Sequence, residues 1–181
     1  TLSTNAKFGV GEVSPSGKVH ITDGDGQVST GVYLTNERNA NNNNYLRFRK
    51  ARQSSGTDHT IITSGDYLGQ IDFQGCSADN TYRNGAVIYA VTEGTINGSQ
   101  IPTNLQVHTV NTSGTQAERM RITADGTVLI NTTVATGASS GAENLIIGTS
   151  GHEGMTIFSG TDNYGSIHFS DSTSSDSGQY K

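Results

Sequence analysis

The sequence predicts an all-β fold of short antiparallel strands, and three observations predict it. Apolar residues alternate with polar ones in short runs that Gly, Asn, Asp and Ser interrupt. No window carries a helical period. The 181 residues include 23 Gly and only 2 Pro, with 31% hydrophobic and 7% aromatic residues and no Trp. Side chains that fill a core are therefore scarce, and a lone chain buries little. Such a chain stays disordered or gains burial by associating with copies of itself; the regular alternation points to the second.

The elements follow in order. Residues 7–13 predict a strand with Phe8 and Val10 on one face, and residues 18–22 another with Val19 and Ile21. Residues 31–35 carry Val32 and Leu34, and residues 45–50 set Leu46 and Phe48 against Arg47 and Arg49. Strands are expected at 59–63, at 67–74 with Gly69, Ile71 and Phe73, at 86–91, and at 105–110 with Leu105 and Val107. Residues 118–123 and 127–131 flank Ala124-Asp125-Gly126, a tight hairpin turn in which Gly accepts positive φ. Residues 144–148, 155–158 and 166–170 complete the set. The apolar positions Ile71, Phe73, Val87, Leu105, Val107, Ile122, Val128 and Ile130 are expected to form a buried seam, each Ile or Leu contributing about 1.5–3 kcal/mol when covered.

The chain repeats itself. Lys7-Phe8-Gly9-Val10-Gly11 is similar to Thr127-Val128-Leu129-Ile130-Asn131, an offset of 120 (127 minus 7). Gly69-x-Ile71-x-Phe73 matches Gly165-x-Ile167-x-Phe169 at an offset of 96 (165 minus 69), so the second copy is shorter between its landmarks. This divides the chain into a first module at 1–123, a hairpin and linker at 124–136, and the start of a second, truncated module at 137–181. The first residues match neither a signal peptide nor a Met start, and the polar end stops without a capping element. A processed product or fragment is expected.

Composition bounds function. A net charge of -5 with 15% charged residues weighs against nucleic-acid binding, which draws its affinity from neutralised phosphates. No apolar run reaches the about 18 residues of a membrane helix, so membrane insertion is not expected. Cys76 stands alone and supplies neither an intrachain disulfide nor a cysteine zinc site. Between Gly11 and Gly17 stand five residues, not the four of a phosphate loop, and Val19 follows Lys18. Asp23-Gly24-Asp25-Gly26 lacks the remaining ligands of a calcium loop and reads as a turn.

His20, His59, His108, His152 and His168 have no partner at metal-ligand spacing; alternation sets His108 opposite Val107 and His168 opposite Ile167, which predicts solvent. Asp66, Asp72 and Asp79 are too scattered for a glycosidase pair, and no Ser has a recognisable flanking His and acid. No enzyme activity, catalytic residue, metal or cofactor is expected. The Asn-x-Ser/Thr triplets at Asn97, Asn111 and Asn131 are expected by chance in so Ser/Thr-rich a chain. Arg47, Arg49, Lys50 and Arg52 form the strongest basic cluster, read as a solvated face, as interchain ion pairs, or as contacts to anionic glycan. Arg119 and Arg121 share one strand face and read the same way. The candidate contact residues are Asn41, Asn42, Arg47 and Arg49, and the loops at 39–44 and 77–84 are the expected variable surfaces.

Several ordered segments resemble the repeating modules of bacteriophage tail fibre proteins. They are residues 46–52 (LRFRKAR), 64–75 (SGDYLGQIDFQG), 101–105 (IPTNL) and 118–133 (ERMRITADGTVLINTT). Leu129 and Asn131 stand where the family's closing pattern has Gly, which Phe8-Gly9-Val10-Gly11 keeps. In that family such modules precede a C-terminal intramolecular chaperone that cleaves itself off after assembly. The resemblance spans Phe8 to Phe169. It implies an elongated homotrimeric β-prism or fibre, intertwined or side by side, located in the virion. Implied partners are its own copies, other tail proteins, and a host surface glycan or protein receptor. The alternatives are a self-assembling extracellular filament or adhesin of a bacterium and, third, a tailspike glycan depolymerase.

Overall fold

A computed structural model of the chain describes residues 7–10, 19–21, 32, 34, 44–53, 59–134, 144–148, 154–157, 161 and 167. Thr1–Arg47 and Phe48–Lys181 form two compact units. Every described regular element is a strand. The first unit contains β1 (Phe8–Val10) and β2 (Val19–Ile21), paired in parallel. The second contains the short antiparallel pair β3 (Arg52–Gln53) and β4 (His59–Thr60). It also holds a six-stranded sheet of β5 (Tyr67–Cys76), β6 (Tyr82–Thr92), β7 (Thr103–Val110), β8 (Gln116–Ile122), β9 (Val128–Ile130) and β10 (Leu145–Ile147), in spatial order β10-β9-β8-β7-β6-β5.

The expectation of antiparallel strands holds from β5 to β9 and fails at two places. β1 with β2, and β9 with β10, run parallel. Residues 131–144 are long enough to carry the chain back to the start of β9 before β10 begins, whereas a hairpin needs only two to five residues. Two predicted strands are absent: residues 44–51 and 154–157 are irregular. Of the strands expected at 31–35 and 166–170, only Val32, Leu34 and Ile167 are described, outside any strand. The sequence module boundary near residues 124–136 falls within the second unit, where β9 joins the sheet.

Three hairpins share one turn. Ser77–Thr81, Asn111–Thr115 and Thr123–Thr127 are each closed by an N–H of the first residue to the C=O of the fifth, at 2.9, 3.0 and 2.9 Å. In each, the fourth residue also donates to the first. That fourth residue has positive φ: Asn80 at 60°, Gly114 at 79° and Gly126 at 87°. Gly and Asn tolerate this region, and the arrangement is a three-residue loop ending in a left-handed residue. The turn expected at Ala124-Asp125-Gly126 is therefore present, and two more use the same design.

Register then sorts the side chains. Directly paired residues lie on one face of a sheet. One row runs Ile71, Ile88, Val107, Met120, Ile130, Ile147 across all six strands. The next runs Gly69, Ala90, Leu105, Ile122, Val128, Leu145, and Phe73 with Ala86 begins a third. Seven of the eight expected seam residues share this apolar face. Val87 does not: it pairs with Asp72 and His108 on the opposite face, where it is fully buried. The seven are not buried within one chain. Ile71 and Phe73 remain 45% and 54% exposed, and Leu105, Ile122 and Ile130 are also exposed.

Gly69 leaves a gap in the second row, and Phe48 lies against it: a Cβ at position 69 would meet Cβ and Cγ of Phe48 at 2.7 Å. These are the near atoms of the ring side chain, so the whole residue must move. Gly69→Ala is expected to destabilise the second unit by about 1–3 kcal/mol in urea titration, the range for overpacking. Gly75→Ala, where a Cβ meets nothing within 4 Å, should stay within about 0.5 kcal/mol.

Candidate functional site

The predicted contact residues do not gather into one site. Asn41 and Asn42 lie outside the described residues. Arg47, in the first unit, is exposed and places its guanidinium carbon 4.4 Å from the Tyr45 ring centroid, a cation–π contact. Arg49, in the second unit, is exposed. Arg52 is already committed, with Nε 2.7 Å and Nη2 2.8 Å from the two carboxylate oxygens of Asp66. The bidentate fork is the geometry that favours Arg over Lys. The loop expected at 77–84 is shorter than predicted, because β6 starts at Tyr82.

Asp66 organises a corner of the second unit. Besides Arg52 it accepts the Thr63 N–H at 3.0 Å, and its own N–H donates to the hydroxyl of buried Thr92 at 2.9 Å. The Thr92 hydroxyl donates to the Thr63 carbonyl at 2.6 Å. The Arg52 side chain, then the Thr63 N–H, hold the Asp66 carboxyl well below its usual range. At the tip of the β5–β6 hairpin, Ser77 and Arg83 similarly lower Asp79 to about 2.

A polar ladder descends the face opposite the apolar rows. Asn104, Gln106 and His108 follow one another at alternate positions of β7. Asn104 Nδ2 donates to Glu93 at 2.7 Å, and Gln106 Nε2 to Asn104 Oδ1 at 2.8 Å. With the amide so oriented, His108 Nε2 donates to Gln106 Oε1 at 3.0 Å. His108 Nε2 also lies 3.8 Å from Glu118, which binds Arg121 in a fork at 2.9 and 2.7 Å. Tyr89 meets the His108 ring edge to face at 4.9 Å, and Tyr67 meets Tyr89 at 5.1 Å.

Asn104, Gln106, Val87, Val91 and Leu129 on this face are all buried. His108 was expected in solvent, yet its side chain is only 17% exposed. The alternation is right and the covered side is reversed, because long polar side chains and rings blanket one another here. Burial lowers the His108 pKa, opposed by Glu118 and reinforced by Arg121. Arg119 and Arg121 do not act together: a register shift lies between them and β7, and Arg119 donates instead to Thr109 at 2.9 Å.

An open concavity of about 500 Å³ borders this network, with Glu93, Arg121 and Asp125 at its wall. Glu93 is committed to Asn104 and the Ala124 N–H, and Arg121 to Glu118. Among the described residues, no three His, Cys, Asp or Glu side chains are grouped to hold a metal ion. No helix of the described residues is long and apolar enough to cross a membrane.

The other face is the candidate functional surface. Strands about 4.8 Å apart and same-face residues about 6.8 Å apart give the two apolar rows that cross all six strands an area of about 400 Å². The largest apolar patch on a chain is commonly of this size and is often functional. The sequence indicates each strand's apolar side, but the five strand registers were needed to show that those sides merge.

Two pH effects follow. The folded chain favours neutral His108, so its contribution is full above the unfolded pKa of about 6.5 and is lost as pH falls through the lower folded value. Thermal melts should show the wild type losing stability as pH falls below about 6.5, with His108→Gln flatter across the same range. The Asp66 carboxyl has a depressed folded pKa, so its contribution is full above about pH 4 and is lost on further acidification. Asp66→Asn should be less stable at pH 7 and should show a shallower acid slope below about pH 4. A comparison with protein-family models finds none that matches the chain, and a comparison with characterised proteins finds no match.

Proposed function

We propose that the chain is a structural and adhesive segment of a trimeric phage tail fibre that contributes to host-surface attachment. The observation that carries the reading is the apolar face of the six-stranded sheet, which a single chain leaves open. Three copies turning this face to a common axis would cover the apolar rows of each chain against the other two. The second face supports the same reading. Its polar groups are already satisfied within the chain, so it can face water at no cost. No nucleic acid, cofactor or catalytic group has a part in this reading, and the host-facing contacts fall to exposed residues such as Arg47 and Arg49.

A second reading, a self-assembling extracellular filament or adhesin, draws on the long β5 edge. Among the described residues no strand pairs with its outer side. Such an edge can template open-ended pairing.

Light scattering across a chromatographic peak separates these readings. A closed trimer gives three times the chain mass of 19.0 kDa, a filament gives a ladder of larger species, and a folded monomer would overturn both. Val107→Asp, in the centre of the apolar face, should reduce the trimer to monomer while keeping its strand signal in circular dichroism. Val87→Asp, on the buried opposite side, should unfold the second unit.

A further inference from the structure

The internal repeat is structural as well as sequential. β1 and β9 occupy equivalent positions, Phe8–Val10 and Val128–Ile130, at the sequence offset of 120 (128 minus 8). Each pairs in parallel and in register with the strand that follows it: Phe8, Gly9 and Val10 with Val19, His20 and Ile21, and Val128, Leu129 and Ile130 with Leu145, Ile146 and Ile147. The sequence match continues upstream at the same offset, with Leu2 for Ile122, Ser3 for Thr123 and Asn5 for Asp125.

The two copies differ on one edge. The outer edge of β9 is taken by β8, antiparallel, with Met120 opposite Ile130, Arg121 opposite Leu129 and Ile122 opposite Val128. Among the described residues, no strand takes the outer edge of β1. The flanking bonds fix which backbone groups face that edge. Asn131 N–H donates to Arg119 O and Thr123 N–H to Thr127 O, both at 2.9 Å. Antiparallel pairs alternate, so Arg121 and Leu129 between them exchange hydrogen bonds while Met120 and Ile130 do not. Gly9 stands where Leu129 stands, and Val10 where Ile130 stands.

We infer that the outer edge of β1 is an acceptor for an antiparallel strand of the β8 kind. The incoming strand sets apolar residues beside Phe8 and Val10 and Arg on the other face. Phe8 and Val10, 55% and 46% exposed, are the apolar partners that such a strand would cover. In a tandem array this makes each junction a continuous sheet: the closing strand of one module pairs with the opening strand of the next. The inference stands on the repeat and not on the number of chains in the assembly.

The test supplies the strand. A copy of residues 103–121 replaces Thr1, so that Leu2 falls at the place of Ile122, in a Cys76→Ser chain that removes the one free thiol. Met120→Cys in the copy and Val10→Cys form the in-register pair, with Cα atoms expected about 4.5 Å apart, within disulfide range. Oxidation should close this pair at least tenfold faster than Arg121→Cys in the copy with Val10→Cys, which points to the other face. In parallel, the Gly9 amide of the extended chain without added cysteines should exchange with solvent at least tenfold more slowly than in the 181-residue chain. Equal closure of the two cysteine pairs, or an unchanged Gly9 exchange rate, would overturn the inference. The bridge is intrachain, so its result is read separately from the native mass that tests the trimer.

Discussion

Strand register is the constraint on which everything else here rests. Side chains alternate with a period of two, so a slip of one residue would move every apolar side chain of a strand to the other face. Three hairpin turns of the same design hold the register of β5 with β6, β7 with β8 and β8 with β9, with a left-handed Asn or Gly at the fourth position of each turn, while β6 and β7 are joined by the longer connection 93–102. With the register so held, Val107, Met120 and Ile130 come to stand in one row with Ile71 and Ile88.

The consequence is an inverted sheet by the standards of a single chain. The polar face is the covered one, because Asn104, Gln106, His108, Glu118 and Arg121 bond to each other and pack with Tyr89 and Tyr67. The apolar face is open. A two-layer domain would place a second element over it, and among the described residues no further sheet of comparable size exists to do so. A surface of this kind fits a partner better than it fits water, which ties the low aromatic content to the proposed assembly.

The repeat adds a second level of order. One parallel strand pair is used at β1–β2 and again at β9–β10, and in the proposed junction a module would end inside the sheet of its successor. Hydrogen bonds then pass across the junction without an exposed edge at each boundary, the feature of strands most prone to unwanted pairing.

Much of this was legible in the residues. The strands at 67–74, 86–91, 105–110 and 118–123, the turn at Asp125-Gly126 and the offset of 120 between opening strands follow from alternation, turn chemistry and self-similarity, which are local properties. Tertiary structure decided the rest. It put residues 44–51 outside any strand despite the alternation of Leu46 and Phe48 with Arg47 and Arg49, and set Phe48 against Gly69. It took Arg52 out of the basic cluster through Asp66, a residue 14 positions away. It left the His108 side chain only 17% exposed rather than in solvent, because alternation fixes that two neighbours face opposite ways and carries no information on which way is covered. Coverage depends on what packs from elsewhere in the chain or from another chain, and only the assembled sheet contains that.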